Sequence, residues 1–261
     1  DGAGNIYLAG YTNSPTGIAS GGHQNTLGGG TDGLLAKFNS SGVRLWATYY
    51  GGTGNETGLS TIVGGSGDVY LAGSTSSTTN IAFGGHQNTF TGGTDDAYLV
   101  KFNASGVRQW ATYYGGAGEE LGRSMATDNL ENVYLAGVTS STSSIAYGGH
   151  QITFGGGPDD AFLVKFDALG ARQWATFYGG SGDEEGRATS TDGIGNVYLA
   201  GWTASSTSIA SGGHQNTIGG ASDAFLVKFN SLGTRQWSTY YGGTLDDHGY
   251  AMVAETSGMV Y

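Results

Sequence analysis

The tetrapeptide Tyr-Leu-Ala-Gly begins at Tyr7, Tyr70, Tyr134 and Tyr198, so the chain repeats itself every 63 or 64 residues. A second marker keeps the same interval: Trp46, Trp110, Trp174 and Trp237 sit in RLWATYYGG, RQWATYYGG, RQWATFYGG and RQWSTYYGG. A period of this length is about one supersecondary unit, and such a unit buries its apolar faces by stacking on copies of itself.

Within one period, four short apolar or alternating runs lie between Gly, Asn, Asp and Ser clusters, which predicts four strands. In one full unit these are Arg123–Thr127 (a), Asn132–Gly137 (b), Ala161–Phe166 (c) and Arg172–Tyr178 (d). The a-b link Asp128-Asn129-Leu130-Glu131 and the c-d link Asp167-Ala168-Leu169-Gly170 are tight turns, as antiparallel hairpins require. No helical period is present. The fold class predicted is all-β: a β-propeller of four-stranded antiparallel blades of about 63 to 64 residues, four repeats being present. An open stack of the same sheets is the other architecture the periodicity allows. Strand c reads Phe-Leu-Val-Lys-Phe almost without alternation, which predicts neighbours on both of its faces.

The expected division is a partial blade (strands b, c and d) over 1–52 and blades over 53–116, 117–180 and 181–243. Residues 244–261 then start a further blade or supply a ring-closing strand. ETSGMVY at 255–261 aligns with DGAGNIY at 1–7. A segment near Tyr250 to Glu255 could therefore pair with the strand near Ile6, although Met259-Val260-Tyr261 would compete for the place of Asn5-Ile6-Tyr7. The favoured expectation is a portion of a longer array, and the opening Asp1-Gly2-Ala3 places any targeting signal outside this sequence.

Composition narrows the function classes. The chain holds 51 Gly and 2 Pro with 12% aromatic residues, a profile of many short strands and tight turns. Its 10 Lys and Arg against 21 Asp and Glu leave a net charge of −11, which repels a phosphate backbone, so nucleic acid is not an expected partner. Cysteine is absent, excluding disulfides and thiolate metal sites. No apolar run is long enough for membrane insertion as a helix.

The succession GNVYLAG, a Ser/Thr-rich stretch, an HQxTxGGGxDAFLVKF segment and RQWATYYGGSGDEEG resembles the bacterial β-propeller repeat known as SBBP, over essentially the whole chain. The resemblance implies one blade per repeat, in secreted or surface proteins that are often large and repetitive, and an expected location outside the cell or on the bacterial surface. It implies no enzymatic activity and no family-wide ligand. In related repeats an aromatic residue often stands where this chain has His in GGHQNT.

Candidate sites fall in the long loops. The b-c loop carries GGHQNT or GGHQIT in every unit, giving His23 and Gln24, His86 and Gln87, His150 and Gln151, and His214 and Gln215 as candidate ligand-binding pairs. The alternative is that each pair folds its own loop through bonds to the backbone. The d-a loop carries acidic clusters, of which Glu119, Glu120, Asp183, Glu184, Asp246 and Asp247 are candidate calcium ligands. A solvated charged rim explains those clusters as well, and no other cofactor is expected. Propeller topology predicts that the two loops share one end of the blade. Asp32, Asp96, Asp160 and Asp223, at the entry to strand c, are expected to cap turns. No catalytic motif or catalytic residue is found, and His248 beside Asp246 and Asp247 is the one distinctive cluster. A non-catalytic structural or adhesive surface scaffold, self-associating and assembling into filaments or arrays, is the expected function. A lectin-like propeller binding surface glycans, one site per blade, is the alternative.

Overall fold

The computed structural model describes residues 1–192 and 194–261, and every regular element among them is a β-strand. β1 (Ile6–Thr12), β2 (Asp32–Phe38) and β3 (Arg44–Tyr50) form a three-stranded sheet. Three four-stranded sheets follow: β4 (Glu56–Val63) to β7 (Arg108–Tyr114), β8 (Glu120–Thr127) to β11 (Arg172–Tyr178), and β12 (Glu184–Thr191) to β15 (Arg235–Tyr241), with β5 (Val69–Thr75), β6 (Asp96–Phe102), β9 (Val133–Thr139), β10 (Asp160–Phe166), β13 (Val197–Thr203) and β14 (Asp223–Phe229) between them. Within each sheet, strands consecutive in the chain pair antiparallel. This is the predicted all-β propeller architecture, but the sheets are not closed into a ring.

Strand a is longer than its apolar pattern suggests. β8 starts at Glu120 because that residue pairs with Thr139 across the ladder and accepts the Thr139 hydroxyl at 2.6 Å. The register then skips one residue, Arg123, at a bulge between Gly122 and Ser124; Leu59 and Arg187 are skipped at the same place in β4 and β12. Such a bulge locally re-aims the extra side chain.

The first strands stack on one another, β4 on β8 and β8 on β12, so they form the inner edge of the assembly. Apolar residues bury between sheets rather than within one centre. One layer joins Leu35, Trp46 and Tyr50 to Tyr98 and Phe102; a second joins Trp110 and Tyr114 to Phe162 and Phe166; a third joins Trp174 and Tyr178 to Phe225 and Phe229.

The same contacts tie each seam. Trp46, Trp110 and Trp174 donate their indole N–H to Ala104, Ala168 and Ser231 carbonyls in the next sheet's c-d turn at 3.0–3.1 Å. Lys37, Lys101 and Lys165 reach those same carbonyls at 3.2–3.4 Å. Tyr50, Tyr114 and Tyr178 donate to the carbonyls of Ile81, Ile145 and Ile209 in the next sheet's long loop. The turn glycine beneath each Trp is fixed twice over: Gly170 has φ +82°, and a Cβ there would lie 2.8 Å from the Trp110 ring.

At the chain's end, residues 250–255 do not pair with β1. Val253 and Tyr261 exchange backbone hydrogen bonds, at 2.9 and 3.1 Å, and Ala254 donates to Ser190 Oγ at 2.9 Å, laying this hairpin against β12. No helix is long and apolar enough to cross a membrane among the described residues.

Candidate functional site

The GGHQNT element runs along the outer edge of strand d. Ser20 exchanges backbone hydrogen bonds with Ala47, and Tyr49 N–H donates to the Gln24 carbonyl, so the loop adds a short irregular ribbon beside β3. Gly22 has no room for a side chain, a Cβ meeting Thr48 Cβ at 2.6 Å. The pair then divides. Gln24 donates from Nε2 to Asp32 and to the Thr26 carbonyl at 2.8 and 3.0 Å, and accepts Gly51 N–H at 3.1 Å. Gln87, Gln151 and Gln215 make the same three kinds of bond.

The histidines face the seam instead. His23 packs at 6.2 Å from Tyr50 and from Phe102 of the next sheet, and His86 and His150 lie 6.3 Å from Phe166 and Phe229. Burial, and then the nearby guanidinium of Arg108, Arg172 or Arg235, hold these three imidazoles below the usual histidine range, which favours the neutral form. Open grooves of about 680 and 600 Å³ border two of them, one lined by His150, Gln151, Phe154 and Arg235 and one by His23, Gln24, Asn25 and Arg108. The b-c and d-a loops do meet at one end, Gly30 N–H donating to the Gly54 carbonyl and Glu56 N–H to the Thr31 carbonyl, while pairing along the outer edge decides where the His ring lies. His214 has an equivalent backbone position, its Gln215 neighbour bridging Tyr240.

The carboxylates also divide. Asp32, Asp96, Asp160 and Asp223 cap their turns as expected, accepting N–H from Gly28, Thr91, Gly155 and Gly219 at 2.7–3.0 Å. Glu120 and Glu184 are fully buried, each accepting a loop N–H (Gly116 or Gly180, 2.8 Å) and a threonine hydroxyl (2.6 Å). Asp247 accepts Gly243 N–H in the corresponding bond of the last loop. Each Asp–Glu pair closes on a glycine: both Asp96 and Glu120 come within 2.6 Å of the place a Gly115 Cβ would take, and Asp160 and Glu184 do so at Gly179. Burial, opposed by the turn N–H bonds and reinforced by the facing glutamate, pushes Asp96 up to about 6 and Asp160 up to about 7. Glu120, Glu184 and Asp247 are thus engaged in loop folding, and among the described residues no three His, Asp or Glu side chains converge as a metal-holding group.

Glu119, Asp183 and Asp246 belong elsewhere, at the inner edge. Asp246 accepts both the backbone N–H and the hydroxyl of Ser222 at 3.1 Å, and His248 Nε2 lies 3.0 Å from that hydroxyl. The His248 ring stacks on Trp202 at 4.9 Å, and Trp202 donates to Glu185 at 3.2 Å. Glu185 lies between two inner-strand arginines, 2.7 Å from Arg123 and 2.6 Å from Arg187. Beside it, Glu119, Leu121, Arg123, Val138, Asp159, Asp183, Glu185 and Trp202 line a cavity of about 200 Å³.

Residues 109–143, from strand d of one sheet through strands a and b of the next, match the family model of the SBBP beta-propeller repeat. Residues 109–143 carry an SBBP β-propeller repeat. The matched stretch straddles two sheets, so the SBBP sequence unit is offset from the folded blade. The regulatory protein FlaEY of Caulobacter vibrioides is 30% identical over 146 residues, covering 56% of this chain and 15% of the relative's length. An uncharacterised WD repeat-containing protein of Acanthamoeba polyphaga mimivirus is 26% identical, covering 57% of this chain and 13% of its own length. The chain thus spans a small part of the curated relatives it matches.

Arg123, Glu185, Arg187, Trp202 and Tyr250 are not repeated in every unit, so the repeat pattern does not mark them. The signal available was the opposite one. At aligned positions of the inner strand the sequence reads Thr57, Leu121, Glu185 and His248, then Leu59, Arg123, Arg187 and Tyr250, while the flanking framework is nearly constant.

Proposed function

We propose that this SBBP-repeat chain is a non-catalytic extracellular scaffold, a structural or adhesive surface element that associates with further copies or blades. One observation carries the reading: the recurring Trp, Lys and Tyr of each unit are spent on joining that unit to the next. Trp, Lys and Tyr of one sheet donate to the following sheet's carbonyls at each of the three seams. A contact that propagates from unit to unit can extend without closing. The propeller-repeat family match favours a non-catalytic role, and the resemblance to secreted repeats supports the location. Electron microscopy of native material tests the reading, with extended arrays expected; discrete single rings without repeated contacts would count against assembly.

A lectin-like reading is supported by the two seam grooves, which place the same His-Gln pair beside an arginine of the next sheet. A glycan array tests it with His86→Ala and His150→Ala together. Loss of sugar binding with unchanged melting supports a site, whereas unchanged binding removes this reading. Gln87→Ala is the folding control, because its side chain holds the loop.

A further inference from the structure

We propose that the inner seam between the third and fourth sheets binds an organic cation: a primary ammonium group on a short aliphatic chain. The cavity there joins first strands β8 and β12, with Asp159 and Asp183 supplied by the loops leading into β10 and β12 and Glu119 by the one leading into β8. Its volume of about 200 Å³ has room for roughly six or seven heavy atoms at about 30 Å³ each. Leu121, Val138 and the indole of Trp202 supply apolar walls, which suit a methylene chain. The acidic residues of the lining, Glu119, Asp159, Asp183 and Glu185, outnumber its single cation, Arg123, and that guanidinium is already held by Glu185 at 2.7 Å. Glu119, Asp159 and Asp183 have no ion pair among the described residues.

Two further observations set this place apart from a solvated acidic rim. Glu185 is nine-tenths buried, and its Oε1, though close to Arg123, accepts no well-formed hydrogen bond; Arg123 Nε is also buried without an acceptor. Of these, Glu185 Oε1 is a buried acceptor in the wall of the cavity that a ligand's ammonium donors could satisfy. The same positions are also those that break the repeat. Arg123 and Arg187 are the bulged residues of their strands, and Trp202 occupies the register position held by Ser74 and Val138 in the preceding sheets. Burial, with the neighbouring carboxylates reinforcing it, raises the pKa of Glu119, Asp159 and Asp183.

Titration of the full 261-residue chain with putrescine, at fixed ionic strength, tests the site by indole fluorescence and calorimetry. The expected result is saturable binding with a Kd of about 1 mM or tighter, with the fluorescence change lost in Trp202→Phe. Asp159→Asn combined with Asp183→Asn should weaken binding at least about tenfold. N-acetyl-lysinamide forms the second arm: tighter binding than putrescine identifies a lysine side chain as the source of the ammonium, and the reverse order a free diamine. If the double variant fails to fold by circular dichroism, the exposed Glu119→Gln carries the comparison. No saturable signal from either probe, or binding unchanged by loss of these carboxylates, overturns the proposal.

Discussion

The outer seams and the inner seam of this molecule are built by opposite rules. At the outer seams Trp46, Trp110 and Trp174 repeat the same bond to the same turn. Along the inner strands, Thr57, Leu121 and Glu185 share a ladder position and nothing else, and His248, aligned with them in sequence, lies outside any strand. Stacking demands that each unit present what its neighbour accepts, so framework residues are held constant by geometry. Inner-strand side chains project where the sheets converge and are free of that demand, so variation there can carry specificity.

Breaking the framework should cost most. Trp110→Ala removes a side chain that is 5% exposed and lies against Tyr70 and Phe166, an expected loss of about 3 to 5 kcal/mol and a Tm lower by roughly 10 °C. Trp202→Ala, at the half-buried inner site, should cost only about 1 to 2 kcal/mol, and equal losses in thermal melts would erase the contrast between the regions.

Gly170→Ala sharpens the same comparison. It combines a left-handed backbone with a Cβ only 2.8 Å from the Trp110 ring, an expected loss of roughly 2 to 3 kcal/mol in denaturant titration. Gly148→Ala, also left-handed with φ +64° but with open space around it, should lose about 1 kcal/mol.

A smaller effect, visible only against pH, belongs to the buried carboxyl pairs. Because Asp160 titrates near 7 in the folded protein but near an ordinary aspartate value when unfolded, the unfolded chain gives up its proton first as pH rises. Its contribution therefore favours folding below about pH 4 and is lost progressively up to about pH 7. Asp160→Asn keeps an oxygen for Gly155 N–H and replaces the unpaired Oδ1 with a donor facing Glu184, so melting should become less pH-dependent across that window. An unchanged profile would show that the pair does not share its charge in this way. Least affected should be His86→Ala, within about 0.5 kcal/mol, since that partly exposed imidazole makes only a ring contact among the described residues whereas Gln87 beside it holds the loop.

Much of the fold was legible because repetition made it so. The strand pattern, the antiparallel hairpins and the turn-capping role of Asp32, Asp96, Asp160 and Asp223 follow from spacing and local chemistry. The candidate sites were less legible. Gln24 and His23 are adjacent in sequence, yet one closes its own loop and the other faces the next sheet. Glu119 and Glu120 look alike in the sequence, but strand alternation buries one against Thr139 and leaves the other at the inner cavity.

One heptapeptide separates what the sequence determined from what tertiary structure decided. Asp-Ala-Phe-Leu-Val-Lys-Phe occurs at 160–166 and again at 223–229, and in both places it forms strand c with the same pairing to strands b and d. Local propensity and hairpin chemistry were enough for that. In β10 all seven residues are buried, whereas in β14 burial alternates, because β10 has a sheet on each face and β14 has one. Stacking likewise brought Arg123 to Glu185 and Trp202 to His248 from different units. Those contacts depend on how one sheet lies against the next, and no single repeat encodes them.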